Sequence, residues 1–276
     1  MTSFSIQDLV NARNSLEQFR KYSVSPYHER YCFPFLLGTY FAYRKIDVLR
    51  VVSIAKAISD KPKYVDVGCG YGDFLKKVRE FLPDAIGIEK DARIFYNFTI
   101  PKPDCIRIAD ARWGIEEKYD VIFVGWMDPG TDFTYAVAAK TNVVVTTLDQ
   151  GISQAAEFDA HGFKRIAYWK TPSWEDVTTE IMNRYYTKMS VQTHQTLFEM
   201  RGAHNLWYVY SNRAHKAKAI ESALRQRLEE EHQKLQPRYP FEDVLDDCGY
   251  KYLQRLQIPS SDPENIPLWD IKFVDE

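Results

Sequence analysis

Short, mainly apolar runs recur at regular intervals through the middle of the chain, at about residues 64–67, 85–88, 105–108, 120–124 and 142–147. Each is too short for a buried helix and is rich in Val, Ile and Phe, so each predicts a buried strand. Helices or short connections separate them, which is the alternation of a doubly wound, mostly parallel α/β sheet. Phe163–Trp169 predicts a sixth strand, after a helix over Gly151–His161, and Leu206–Tyr210 a seventh. Ahead of the first strand, Val48, Val51, Val52, Ala55 and Ile58 fall on one face of a helix running from about Leu36 to Ile58. An earlier helix, capped by Ser3 or Ser5, carries Leu9, Leu16 and Phe19 on one face.

The first strand breaks into Gly68-Cys69-Gly70-Tyr71-Gly72, and Phe74–Phe81 predicts the helix that follows. Glycine allows positive φ and close approach of a ligand to the backbone, and amides at the start of the next helix face such a turn. Glu89, 17 residues after Gly72, closes the second apolar run. A carboxylate at a strand end can accept hydrogen bonds from both hydroxyls of a ribose, so the pair predicts a nucleoside-containing ligand. A dinucleotide fingerprint requires a third glycine where Asp73 stands.

The Asp66-x-Gly68-x-Gly70-x-Gly72 arrangement resembles the cofactor loop of class I S-adenosylmethionine-dependent methyltransferases, and the resemblance continues in order for about 150 residues. It implies a seven-stranded sheet with helices on both faces and the cofactor across the strand ends. It also implies cofactor contacts from Asp66, Gly68, Cys69, Gly70, Gly72, Glu89 and Lys90, with Asp66 toward the amino acid end. Asp110 and Ala111 match the adenine position, although Asp110 can equally cap a turn; Trp113 either covers the adenine or fills core. The resemblance also implies that Gly125 and Trp126, at the fourth strand end, lie toward the cofactor and the substrate. The following Asp128-Pro129-Gly130-Thr131 resembles the Asp-Pro-Pro-aromatic motif of amino-methylating nucleic-acid enzymes. It departs from that motif at Gly130 and Thr131, which counts against a base as acceptor.

Methyl transfer from a sulfonium needs alignment and exclusion of water more than covalent help, and a base only where the nucleophile arrives protonated. Asp128, His28, His194 and His204 are the candidates for that role. Roughly 35 residues, Lys170 to Asn205, separate the last two strands, too many for a plain connector. This insertion, helical through about 175–189 and rich in aromatic residues, reads as a substrate lid or, alternatively, as a stabilising or homodimer contact. The expected organisation is therefore an N-terminal helical cover (1–60), a cofactor domain (61–212, with 170–205 inserted), and a C-terminal helix and aromatic tail (213–276) packed on it.

Composition narrows the acceptor a little. A formal charge of −2 gives no general attraction to nucleic acid, so a small-molecule acceptor is favoured over a protein or nucleic acid. There is no apolar run long enough to cross a bilayer and no signal-peptide pattern, so membrane partners are not expected and a cytoplasmic protein is. Cys32, Cys69, Cys105 and Cys248 show no metal-ligand spacing, and no metal is expected. The run Glu229-Glu230-Glu231 reads as a solvated helix face. The competing functions are a non-catalytic cofactor-binding partner subunit and an NAD-dependent oxidoreductase.

Overall fold

The structure is a computed structural model that describes residues 43–97, 101–125, 127, 132–149, 158–171, 205–234, 236–239, 242 and 269–274. The chain divides into two compact units, the larger being Arg44–Trp169, Leu206–Arg238 and Asp270–Glu276. Its elements begin with α1 (Lys45–Ile58), β1 (Tyr64–Val67), α2 (Asp73–Arg79), β2 (Ile86–Glu89), α3 (Arg93–Asn97) and β3 (Ile106–Ile108). They continue with α4 (Ala111–Gly114), β4 (Val121–Gly125), α5 (Thr134–Ala138), β5 (Val143–Asp149) and a 3₁₀ turn (Asp159–His161). Then come β6 (Lys164–Thr171), β7 (Asn205–Ser211), α6 (Ala214–Gln233) and β8 (Lys272–Phe273).

The strands form one sheet in the order β3-β2-β1-β4-β5-β7-β6-β8, and β1 pairs in parallel with both β2 and β4. β2 with β3 and β4 with β5 are also parallel. This is the α/β, mostly parallel sheet that the apolar runs predict, with eight strands instead of seven. The extra strand is β8, which pairs antiparallel with β6 through Ala167–Phe273 and Tyr168–Lys272. Ile271 and Phe273 are buried while Lys272 is exposed, a period-two pattern too short to stand out in the sequence. Of the helix expected over Gly151–His161, residues 151–157 lie outside the described residues, and the described end is the 3₁₀ turn closed by Gly162 at φ 77°.

Alternation along the strands sorts the core into two layers. Val65, Val67, Ile122, Val124 and Val144 lie in one cluster with Ala111 of α4, Val137 of α5, Phe158 and Tyr210. Tyr64, Asp66 and Phe123 take the other face. There the ring of Phe74 on α2 lies 4.9 Å from Phe123, which lies 5.9 Å from Trp207; Trp207 stacks on Trp169 at 5.4 Å and 8°. Aromatic pairs of this kind are worth about 0.5–1.5 kcal/mol each beyond their area burial.

α1 and α6 pack together and are locked by a charge pair with no solvent exposure on either side chain. The Arg50 guanidinium donates to Glu231 in a fork, Nε to Oε1 at 3.1 Å and Nη2 to Oε2 at 2.5 Å. The guanidinium carbon also sits 5.3 Å from the centre of the Trp169 ring, whose Nε1 donates to Asp47 Oδ1 at 2.9 Å. The run Glu229-Glu230-Glu231 is thus not uniformly solvated: Glu229 is exposed and Glu231 is in the core. Glu231 lies seven residues after Leu224 and eleven after Ile220, which places all three on the buried side of α6.

The smaller unit comprises Met1–Tyr43, Lys170–Asn205 and Tyr239–Trp269. Among its described residues, the Tyr43 and Tyr239 rings meet edge-on at 6.1 Å, the Tyr239 amide donates to the Glu242 carboxylate, and the Trp269 amide donates to the Lys170 carbonyl at 2.9 Å.

Two predictions follow from the α1–α6 contact. Glu231→Ala removes the carboxylate that Arg50 forks onto in the core and should lower stability by about 3–5 kcal/mol, whereas the double change Arg50→Met with Glu231→Leu should restore most of it. Urea midpoints at constant m-value measure both. Burial pushes the Asp47 carboxyl from 3.8 up to about 6, against the opposing pull of Arg50 and of the two hydrogen bonds it accepts, from the Arg44 amide and Trp169 Nε1. The folded form therefore holds this proton more tightly than the unfolded chain. Its contribution is full below about pH 4 and is lost as pH rises through about 6. The stability difference between the wild type and Asp47→Asn should fall across that window; a difference flat from pH 4 to 7 contradicts it.

Candidate functional site

The site is built at the carboxyl ends of β1, β2 and β4, where the strand order reverses between β1 and β4. Such reversals leave a crevice between the loops of adjacent strands that point to opposite sides. The loop after β1 turns through three glycines in the left-handed region, Gly68 at φ 76°, Gly70 at 57° and Gly72 at 84°. A Cβ on Gly72 would stand 2.6 Å from Ile106 Cδ1, so both backbone conformation and space require glycine there. A Cβ on Gly68 would lie 3.5 Å from the Gly125 carbonyl oxygen, which sets the loop after β1 close to the end of β4.

The loop is tied to β2 by its own amides. Gly68 and Cys69 donate to the Ile88 carbonyl at 2.8 and 3.3 Å, and Gly72 closes a turn on the Cys69 carbonyl at 2.9 Å. Gly70 donates to Glu89 Oε2 at 2.8 Å, and Asp91 donates to Glu89 Oε1 at 2.8 Å. Glu89 therefore joins the glycine loop to the turn after β2 and keeps lone pairs for a further donor on each oxygen. Four loop amides already have acceptors, so the segment 68–72 is not a phosphate cradle of free N–H groups.

Gly87 is a site residue that the sequence reading missed. A Cβ there would sit 2.6 Å from Cys69 Sγ and 2.8 Å from Leu75 Cδ2, so the bare backbone of β2 is what lets the loop lie down. The signal was present: a glycine inside the apolar strand Ile86–Glu89 marks a close approach.

Acidic side chains gather at the site. Asp66 lies on β1 opposite Gly87 and Phe123, and is only 2% exposed. Its carboxyl makes no hydrogen bond among the described residues. Burial, with the charges of Asp73 and Glu89 next, holds it well above the usual carboxylate range. Burial and the nearby Asp66 and Glu89 push the Cys69 thiol up as well, which leaves it a poor nucleophile.

At the end of β3, Asp110 caps α4 by accepting the Arg112 amide at 3.0 Å, and its carboxylate is gripped by the Arg112 guanidinium, Nη2 to Oδ2 at 2.6 Å. Lys90 Nζ stands 3.5 Å from the same oxygen. Arg112 thereby holds the Asp110 carboxyl well below its ordinary range. Ala111 is buried beside it, and Trp113 is 77% exposed, so this ring is not core. Gly125 ends β4 beside the loop. Trp126, Asp128, His28, His194 and His204 lie outside the described residues. Among the described residues there is no cluster of three His, Cys, Asp or Glu that could hold a metal ion, and no helix long and apolar enough to cross a membrane.

No family model and no curated protein sequence matches this chain. Solved structures do. The chain is similar to a putative RNA methyltransferase, PH1948 from Pyrococcus horikoshii, at 14% identity over 60% of this chain and 79% of that one, with a TM-score of 0.37. It is similar to the N-methyltransferase NodS from Bradyrhizobium japonicum WM9 at 10% identity over 60% and 96%, TM-score 0.38. A third match, StiE O-MT residues 961–1257, shares 15% identity over 67% and 80%, TM-score 0.40. The α/β architecture with its mostly parallel central sheet is established by the strand order and pairing given above.

The loop geometry is directly testable. Gly87→Ala should push Cys69 and the glycine loop away from β2, and Gly72→Ala should cost about 1–2 kcal/mol through its left-handed backbone alone. Thermal unfolding and proteolysis near Gly70 measure both. A Gly87→Ala protein with an unchanged midpoint and an equally protected loop shows that the contact is unimportant.

Proposed function

We propose that this protein is an S-adenosylmethionine-dependent methyltransferase acting on a small-molecule acceptor. The observation that carries the reading is the sign of the site. Asp66, Asp73 and Glu89 gather around a glycine loop whose own amides already donate to Ile88, Cys69 and Glu89. A pyrophosphate brings two negative charges and needs free N–H donors, so a dinucleotide fits poorly. S-adenosylmethionine carries a sulfonium and an ammonium, which outweigh its single carboxylate, and its adenosine is uncharged. Negative side chains suit it.

In that reading Glu89 accepts from the ribose hydroxyls with the lone pairs left over from Gly70 and Asp91. Asp66 and the loop face the amino acid end, and Asp110 with Ala111 faces the adenine. Exposed Trp113 is available to cover that base. The cofactor supplies an activated methyl group; the protein's part is to hold it in line with a nucleophile and keep water out. The small-molecule acceptor rests on the near-neutral net charge and on the departures at Gly130 and Thr131 from the base-methylating motif.

Calorimetry of the purified protein with S-adenosylmethionine, S-adenosylhomocysteine and NAD should show binding of the two sulfur compounds. Binding of NAD and of neither sulfur compound overturns the reading. Glu89→Ala should weaken cofactor binding by about tenfold or more, since charge-assisted hydrogen bonds contribute about 1.5–3 kcal/mol each. It should also loosen the loop, because the Gly70 and Asp91 amides lose their acceptor. Unchanged affinity in a folded variant places the ribose elsewhere.

A further inference from the structure

Asp66 is an unusual residue to find at the end of a central strand. It is 98% buried and without a hydrogen bond among the described residues, while its titratable neighbours offer no cation. Tyr64 precedes it on the same strand face, Cys69 lies in the loop, Asp73 opens α2 and Glu89 ends β2. Two of these are neutral and two are acids. A buried carboxylate in such company lacks anything to offset its lost hydration. Structural carboxylates of this kind are normally paired, as Asp110 is by Arg112 and Glu231 is by Arg50 in this same protein. Asp66 is not.

We propose that Asp66 is a proton-for-cation exchange site: it carries a proton in the free protein and releases it when an ammonium group of the bound cofactor comes to lie against it. The proposal rests on the methyltransferase reading above and adds to it a pH control of cofactor loading. In the exchange the carboxylic O–H bond breaks and the proton passes to water or buffer. The ammonium keeps its own protons, and the site's net charge is the same before and after. The direction of the Asp66 shift, upward from burial and from Asp73 and Glu89, agrees with the geometry. Cofactor affinity then rises with pH wherever the free protein holds the proton and the ammonium stays charged.

The test is calorimetry at pH 7 in phosphate and in Tris, whose ionisation enthalpies differ. For S-adenosylmethionine and S-adenosylhomocysteine, the apparent enthalpy should shift between buffers by an amount reporting close to one proton released. For 5′-methylthioadenosine, which has the nucleoside and no ammonium, it should not shift. From pH 6 to 7.5, below the usual range of an α-amino group, Kd for the two amino acid ligands should fall by up to about tenfold per pH unit. Asp66→Asn should abolish both the proton release and the pH dependence, while 5′-methylthioadenosine still binds within about twofold. Tight binding of S-adenosylmethionine with no proton released, or equal release with 5′-methylthioadenosine, overturns the exchange and leaves the cofactor assignment standing. Absence of binding by either sulfur cofactor overturns both.

Discussion

The loop after β1 lies flat on the end of β2, and the other features of the site follow from that contact. It is made of two parts. One is steric: Gly87 offers no Cβ, so Cys69 and Leu75 can occupy the space above it. The other is polar: the Ile88 carbonyl and both Glu89 oxygens collect amides from Gly68, Cys69, Gly70 and Asp91. Once the loop is fixed this way, its three glycines must sit in the left-handed region, and α2 starts with Asp73 beside Asp66 and Glu89. The cluster of acids is thus a consequence of the backbone path.

That arrangement also distinguishes two cofactor chemistries that share a fold. A glycine loop ahead of a helix is commonly read as an anion receptor. Here the loop's amides turn inward to protein acceptors and the side chains presented are carboxylates. In the methyltransferase reading proposed above this arrangement suits a cation, and Asp66, buried with no hydrogen bond among the described residues, is the group that would meet it. By contrast, Asp110 is already neutralised by Arg112 and Lys90, which suits a neutral base edge better than a charged group.

The scaffold is held on the opposite principle. α1 and α6 carry Arg50 and Glu231 into a dry interior, where each compensates the other and Trp169 covers the guanidinium. A pair of this kind does more to fix which helix faces meet than to raise stability over an apolar contact. The aromatic line Phe74, Phe123, Trp207 and Trp169 runs beneath it across the sheet. Phe74 is the link to function, since it lies one residue into the helix that the glycine loop opens.

What the sequence determined was local. Mainly apolar runs of four to seven residues placed β1 to β7 within a residue or two, because a strand buried on both faces has little room for polar side chains. The glycine spacing and Glu89 marked the loop and its acceptor, because positive φ and a strand-end carboxylate are properties of single residues. Tertiary structure decided whatever depends on which strands are neighbours. Arg50 and Glu231 stand 181 positions apart and no periodicity links them, so Glu231 read as one more charge in a solvated run. β8 is two residues long and exists only because β6 offers it an edge. Trp113 was open between base cover and core until the packing of α4 left it in solvent. Asp66 and Glu89 were both legible, yet their shared environment was not, since burial and mutual repulsion arise only when β1 and β2 lie side by side.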